Sequence, residues 1–274
     1  MRWVNVGLEG AVSAILYPFR GLPPIVGLTF ISLITAIAIL WVFRATSDQR
    51  ALRRVKNRIT AGILEIRLFR DDLRTVFRAQ LDILRHSLTY MRLSLVPMLW
   101  VILPMILLMI QLQFHYGYRP LDPGESVIVR ATLADGFPAD DAELSLSTDG
   151  ALEVETPLLW LPEQKQASWR IRAREKGRHE LRVRSGGRDL LKPLTVGRPA
   201  GPLSPRRSSS GLLDQLLYPV EPPIPDGGSL VSIEVAYRSA TVGLLGWDVH
   251  WMVAFFILTL VFAFALQKPL RVTI

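Results

Sequence analysis

Charge disappears from three stretches of the chain, residues 21–43, 93–114 and 249–267, where only His250 is ionisable. At about 1.5 Å of rise per residue each reaches roughly the 30 Å of a bilayer's hydrocarbon core, so the pattern predicts three transmembrane helices. Ahead of the first, Val4, Leu8, Ala11, Val12, Ile15 and Phe19 recur at helical spacing opposite Asn5, Glu9 and Ser13. Residues 1–20 therefore read as an amphipathic helix lying on the membrane surface. Glu9 interrupts the apolar stretch that a cleaved signal would need, so we expect this segment to be retained.

Between the first two apolar stretches, residues 44–92 keep the helical period. Leu52, Val55, Ile59, Ile63, Ile66, Phe69, Leu73, Phe77, Leu81, Leu84, Leu88 and Met91 follow one another at steps of three or four, a continuous apolar seam with charged residues elsewhere. A single rod would end far from the bilayer, so the segment must fold back into two antiparallel helices. The turn falls near Arg70, Asp71 and Asp72, with Gly62 as the competing place. Thr46 and Gln49 stand at the spacing of a capping box for the first of them.

Beyond Tyr118 the period changes to two. Val127, Val129, Ala131 and Leu133 alternate with Ile128, Arg130 and Thr132, and Leu144 with Leu146, Trp169 with Ile171 and Ala173, and Leu181 with Val183 alternate with polar residues. Turn residues at Asp135-Gly136, Asp149-Gly150, Lys176-Gly177 and Gly186-Gly187 separate them, which predicts an all-β, immunoglobulin-like sandwich over residues 120–197. Residues 198–248 read as a Pro-, Ser-, Gly- and Arg-rich linker ending in one extra strand at Val231 to Tyr237.

Loop charge sets the expected orientation. Residues 44–92 hold 12 Lys+Arg against five acids, residues 115–248 hold 16 against 18, and basic loops stay in the cytosol. The N-terminus and the β-domain are then outside, and the hairpin and the tail 268–274 inside. We expect a multi-pass protein of the plasma (inner) membrane of a prokaryote. Half the residues are hydrophobic, which argues against a soluble enzyme. No cysteine is present, so disulfides and thiolate metal sites are excluded. The four histidines are scattered, and no catalytic set, metal-ligand cluster or cofactor fingerprint appears. The basic residues do not form one soluble face, so sequence-specific nucleic-acid binding is not expected.

Within the second apolar stretch Pro97 and Pro104 each remove an N–H and crowd the carbonyl four residues earlier, which predicts a kinked helix. Thr29, Ser32 and Thr35 lie three apart on the first, where they either pack against a neighbouring helix or line a groove. No Asp, Glu, Lys or Arg lies in any of the three stretches, against an ion-coupled transporter.

A span, a cytosolic hairpin continuous with it, and a second span opened by proline resemble the YidC/Oxa-type membrane protein insertase superfamily. The smaller branch, with archaeal YidC-like proteins and the third subunit of the ER membrane complex, is most similar. Thr46-Ser47-Asp48-Gln49 with the basic run Arg50 to Arg58, and Leu95-Val96-Pro97-Met98-Leu99 with Pro104-Met105, carry the resemblance. The large outside domain departs from the small members. The resemblance implies a shallow groove open to the cytosol, made hydrophilic partly by a basic residue, for which Arg44, Arg50 and Arg92 at the mouth are the candidates. It implies that Arg50, Arg53, Arg54 and Arg58 meet ribosomes or nascent membrane-protein clients, that membrane lipid is a partner, and that no bond is made or broken. A membrane-anchored scaffold or sensor, its β-domain binding an extracytosolic protein, is the alternative from a different class.

Overall fold

The computed structural model describes residues 2–69, 72–135, 144–198, 201–270 and 272. Arg70, Asp71, Gly136, Glu143 and Arg271 thus lie outside the described residues, as do the side chains of Val4 and Leu8. The chain forms helices and antiparallel β-sheets arranged in two compact units.

The first unit comprises residues 1–27 and 109–251. It opens with α1 (Arg2–Leu16) and a 3₁₀ turn (Tyr17–Phe19). Its strands are β1 (Ser126–Leu133), β2 (Ser145–Thr148), β3 (Leu152–Val154), β4 (Leu159–Leu161), β5 (Gln166–Ala173), β6 (Gly177–Ser185), β7 (Arg188–Val196), β8 (Arg206–Ser208), β9 (Leu230–Val235), β10 (Thr241–Leu244) and β11 (Trp247–His250). One sheet runs β3-β5-β1-β9-β8, with β4 also paired to β5, and another runs β2-β6-β7. Alternation predicted the inward faces. Val129, Ala131, Trp169, Ile171, Leu181 and Val183 are buried in one core, while Arg170, Arg172, Arg182 and Arg184 are exposed. The tight β6–β7 hairpin closes through Gly186 and Gly187, both at positive φ, which glycine adopts without strain.

The β-domain does not stop at Gly197. β9 pairs with β1 on the side away from β5, with Val129 opposite Val235, and Ile224, Leu230, Ile233 and Val235 complete the core. The segment read as a linker also contains β8 and the short helix α5 (Leu212–Leu217). Sequence locality hid this, because the partner that buries β1's second edge arrives about a hundred residues later. The N-terminal helix differs from expectation too. Val12 and Leu16 are buried in protein, Ile15 and Phe19 are half-buried and Ala11 is exposed, and Ser13 Oγ is hydrogen-bonded to His115 Nε2 at 3.3 Å, so the side of α1 through Val12, Ser13 and Leu16 packs within the unit.

The second unit comprises residues 28–108 and 252–274. It contains most of α2 (Pro24–Thr46), all of α3 (Gln49–Leu68), the larger part of α4 (Leu73–Tyr116) and nearly all of α6 (Trp251–Gln267). The break between α3 and α4 falls between Leu68 and Leu73, and Gly62 lies inside α3. The helix after the break has 44 residues and runs unbroken through Pro97 and Pro104, so the second hairpin arm and the second apolar stretch are one element. Among the described residues two helical segments, Pro24–Thr46 and Pro97–Tyr116, are long and apolar enough to cross a bilayer. The expected third span is shorter than its apolar run: Trp247 to His250 belong to β11, which leaves α6 with 17 residues.

Candidate functional site

The hairpin begins with a cap different from the one the sequence suggested. Thr46 still belongs to α2 and its hydroxyl donates to the Val42 carbonyl at 2.7 Å. Asp48 is the N-cap of α3, accepting from Ala51 N at 2.9 Å and Arg50 N at 3.0 Å. An aspartate satisfies two orphan N–H groups at once, which the already committed threonine cannot. The Ala51 N–H first, with the Arg50 N–H and the charges of Arg54 and Arg50, holds the Asp48 carboxyl below the usual carboxylate range.

Arg50, Arg53, Arg54 and Arg58 follow on the exposed side of α3, opposite Leu52, which is buried, and Val55 and Ile59, which are half-buried. The four candidate recruiting arginines therefore share one open basic surface just past the end of α2. Arg44 and Arg92 are exposed as well, and Arg44 donates to the Leu270 carbonyl at 3.1 Å, just beyond α6.

The seam is only half realised. On α3, Leu52, Val55, Ile59 and Ile66 are withdrawn from solvent as expected, but Ile63 is exposed. On α4, Leu73, Phe77, Leu81, Leu84, Leu88 and Met91 are all exposed, and the withdrawn face is instead Val76, Ala79, Ile83, His86, Ser87 and Tyr90. The arms meet where α3 presents Gly62 to Ile83 and Ala79. Small residues let the helices approach closely and rotate the large apolar residues of α4 outward, a preference that hydropathy alone does not register.

Of the proposed groove residues, Ser32 and Thr35 are buried, their hydroxyls donating at 2.7 Å to the carbonyls of Leu28 and Ile31. They pack α2; Thr29 is half-buried. Pro97 is buried and Pro104 exposed. Each proline leaves a carbonyl without its helical donor, that of Leu93 and that of Trp100. Sequence reasoning missed three further polar groups in these helices. Ser94 Oγ and Gln111 Oε1 in α4 and Thr259 Oγ1 in α6 are buried without a hydrogen-bond partner. Isolated polar residues within an apolar run were the available signal.

The β-domain holds a buried ion pair that no motif announced. The Lys192 ammonium, on β7 with its side chain 0% exposed, donates to Glu221 Oε1 and, at 2.8 Å, to the Ser204 carbonyl. Burial pushes the Lys192 amine below its ordinary value, opposed by the Glu221 carboxylate. Another buried group, His179, has Nδ1 3.0 Å from Asp149 Oδ2 and Nε2 2.9 Å from the Glu175 carbonyl, fastening the β5–β6 turn. Among the described residues no three His, Asp or Glu side chains gather as metal ligands.

No family model and no curated protein matches the chain. A crystal structure of an S-layer protein matches 34% of this chain and 13% of its own length, at 14% identity and a TM-score of 0.24. A likeness that shallow carries no argument about fold or function.

Proposed function

We propose that this chain is an insertase-like integral membrane protein of a prokaryotic plasma membrane, with α2, α4 and α6 in the bilayer and the α3–α4 hairpin in the cytosol. The observation that carries the reading is that the two hairpin arms pair within one chain while the second continues without a break into an apolar helix bearing Pro97 and Pro104. A wide apolar surface supports membrane residence: Phe30, Ile34 and Ile37 of α2, Leu99, Leu103 and Ile106 of α4, and Phe256, Leu260 and Phe264 of α6 are exposed. A soluble monomer does not present contiguous apolar surface on that scale. The exposed tip of the β10–β11 hairpin, Leu245 and Trp247 directly ahead of α6, suits the interfacial layer.

The work done would be physical. A 17-residue helix spans about 26 Å, less than the hydrocarbon thickness, and short helices thin the bilayer around them. The freed carbonyls of Leu93 and Trp100, with Ser94 and Thr259, offer hydrogen-bonding capacity to water or to a polar client segment, lowering the cost of bringing that segment into lipid. Ser32 and Thr35 serve packing in this scheme, while the basic surface of α3 attracts ribosomes or nascent chains.

Changing Arg50, Arg53, Arg54 and Arg58 to Glu together leaves Leu52, Val55 and Ile59 in place and tests recruitment. In reconstituted vesicles the variant should lose ribosome co-sedimentation and slow insertion of a short-tailed client; normal insertion by correctly oriented variant protein would sink the role. One observation favours the scaffold or sensor reading: the exposed stripe from Phe77 to Met91 could pair with a second chain. A cysteine at Leu84 that cross-links chain to chain in native membranes would move the assignment there.

A further inference from the structure

His179 of β6 is 9% exposed, and both of its ring nitrogens meet turns of the β-domain. Nδ1 lies 3.0 Å from Oδ2 of Asp149 in the β2–β3 turn, and Nε2 lies 2.9 Å from the Glu175 carbonyl in the β5–β6 turn. A carboxylate and a backbone carbonyl only accept, so each nitrogen has to donate. A neutral imidazole carries one N–H and satisfies one of these contacts, whereas the imidazolium satisfies both. Gly177 gives the ring its room, standing at φ 145° where a Cβ would come within 3.4 Å of Nε2. Asp149 is the charged side chain bonded to the ring. Of the other groups around it, Lys176 packs on Gly197, Arg174 pairs with Glu153, the Glu175 side chain is exposed, and β7 sets Leu194 opposite. Arg178 and Glu180, its neighbours on β6, are exposed.

We propose that His179 is a pH-operated clasp: holding both ring protons it ties the β2–β3 and β5–β6 turns together, and on giving one proton to solvent it releases the β5–β6 turn. The N–H facing the carboxylate makes the stronger, charge-assisted bond, so Asp149 is kept and the proton leaves Nε2. Nε2 then turns a lone pair towards the Glu175 carbonyl oxygen, and the turn moves off. At the base of that turn Ala173 exchanges hydrogen bonds with Gly124 and Glu125, and Glu125 is gripped by Arg119 at 2.8 and 2.9 Å. The loosening is therefore delivered to the stretch by which the chain enters the β-domain after α4. With that domain outside, as proposed above, the pH it reads is the outside one; the clasp itself depends neither on membrane residence nor on insertase activity.

Nitrogen NMR of the full chain in detergent, labelled at its histidines, shows which ring nitrogens carry protons through the interval of about pH 5 to 8 in which histidine changes charge, and a little beyond it. The His179 signals, assigned by their shift in Asp149→Asn, should report two N–H groups at the acid end and Nδ1–H alone at the alkaline end. Amide exchange over residues 174–179, corrected for its intrinsic pH dependence, should quicken roughly tenfold between the two ends, the worth of one hydrogen bond, while residues 127–133 of β1 hold steady. Asp149→Asn, which removes the charge and keeps the shape, should move both changes to lower pH, and His179→Leu should abolish the pH dependence of exchange. An Nε2–H ring at the alkaline end, exchange in the unsubstituted chain that does not respond to pH, or the same response in His179→Leu would each overturn the proposal. Exchange in the unsubstituted chain decides even where a variant does not fold.

Discussion

A Cβ placed on Gly62 would lie 2.7 Å from Cγ1 of Ile83, so the two arms of the hairpin touch through a residue that has no side chain. Gly62→Val should force them apart and destabilise the hairpin by about 1–3 kcal/mol, the usual cost of overpacking. Denaturant unfolding with a probe on α3 checks this. Adding Ile83→Ala to Gly62→Val should recover part of the loss, whereas two independent effects would add.

Charge placed on the two faces of α4 should have opposite consequences. Ile83→Asp puts a carboxylate into the interface and should abolish amide protection over residues 59–66, because an unpaired charge in an apolar contact costs several kcal/mol in rough terms. Leu81→Asp changes a residue that is 50% exposed and should leave that protection intact. Hydrogen exchange of the two variants decides whether the withdrawn face of α4 is the one through Ile83.

The Asp48 cap gives the hairpin an acid limit. Its carboxyl is lowered in the folded state, so the cap's contribution is complete above the ordinary value of 3.8 and is lost as pH falls through the depressed folded value. Amide exchange at Arg50 and Ala51 should accelerate over that interval, and Asp48→Asn, which caps without titrating, should shift the onset.

Breaking the buried pair in the β-domain should cost more than deleting it. Glu221→Gln leaves the Lys192 ammonium uncompensated and should destabilise the domain by about 3–5 kcal/mol, while Lys192→Met with Glu221→Leu should cost far less. The amine is lowered in the folded state, so between that lowered value and 10.5 the unfolded chain binds more protons, and stability should rise with pH across the interval. Denaturation midpoints at successive alkaline pH values should show this rise, and Lys192→Met should flatten it.

Periodicity carried the architecture a long way. The alternation of Val127, Val129, Ala131 and Leu133 placed β1 and its buried face, and the three- and four-residue steps placed both hairpin helices. What it could not carry was the choice among faces and partners. Leu81 and Ile83 are equally apolar, and the face is decided by the absence of a side chain at Gly62. β9 lies beside β1 although the intervening chain is rich in Pro and Ser. The Lys192–Glu221 pair joins residues 29 apart in segments that carry no recognisable motif, and only the fold brings them together.

Because α4 has no break between Leu73 and Tyr116, the hairpin arm works mechanically as a lever on the apolar half of the same helix. Leu73 stands 24 residues before Pro97, about 36 Å at helical rise, so a bend of about 10° at that proline carries the tip through roughly 6 Å. In the membrane arrangement proposed above, a load on the tip would tilt the apolar segment by small angles, and a slight tilt of that segment would be read out as a large excursion of the tip.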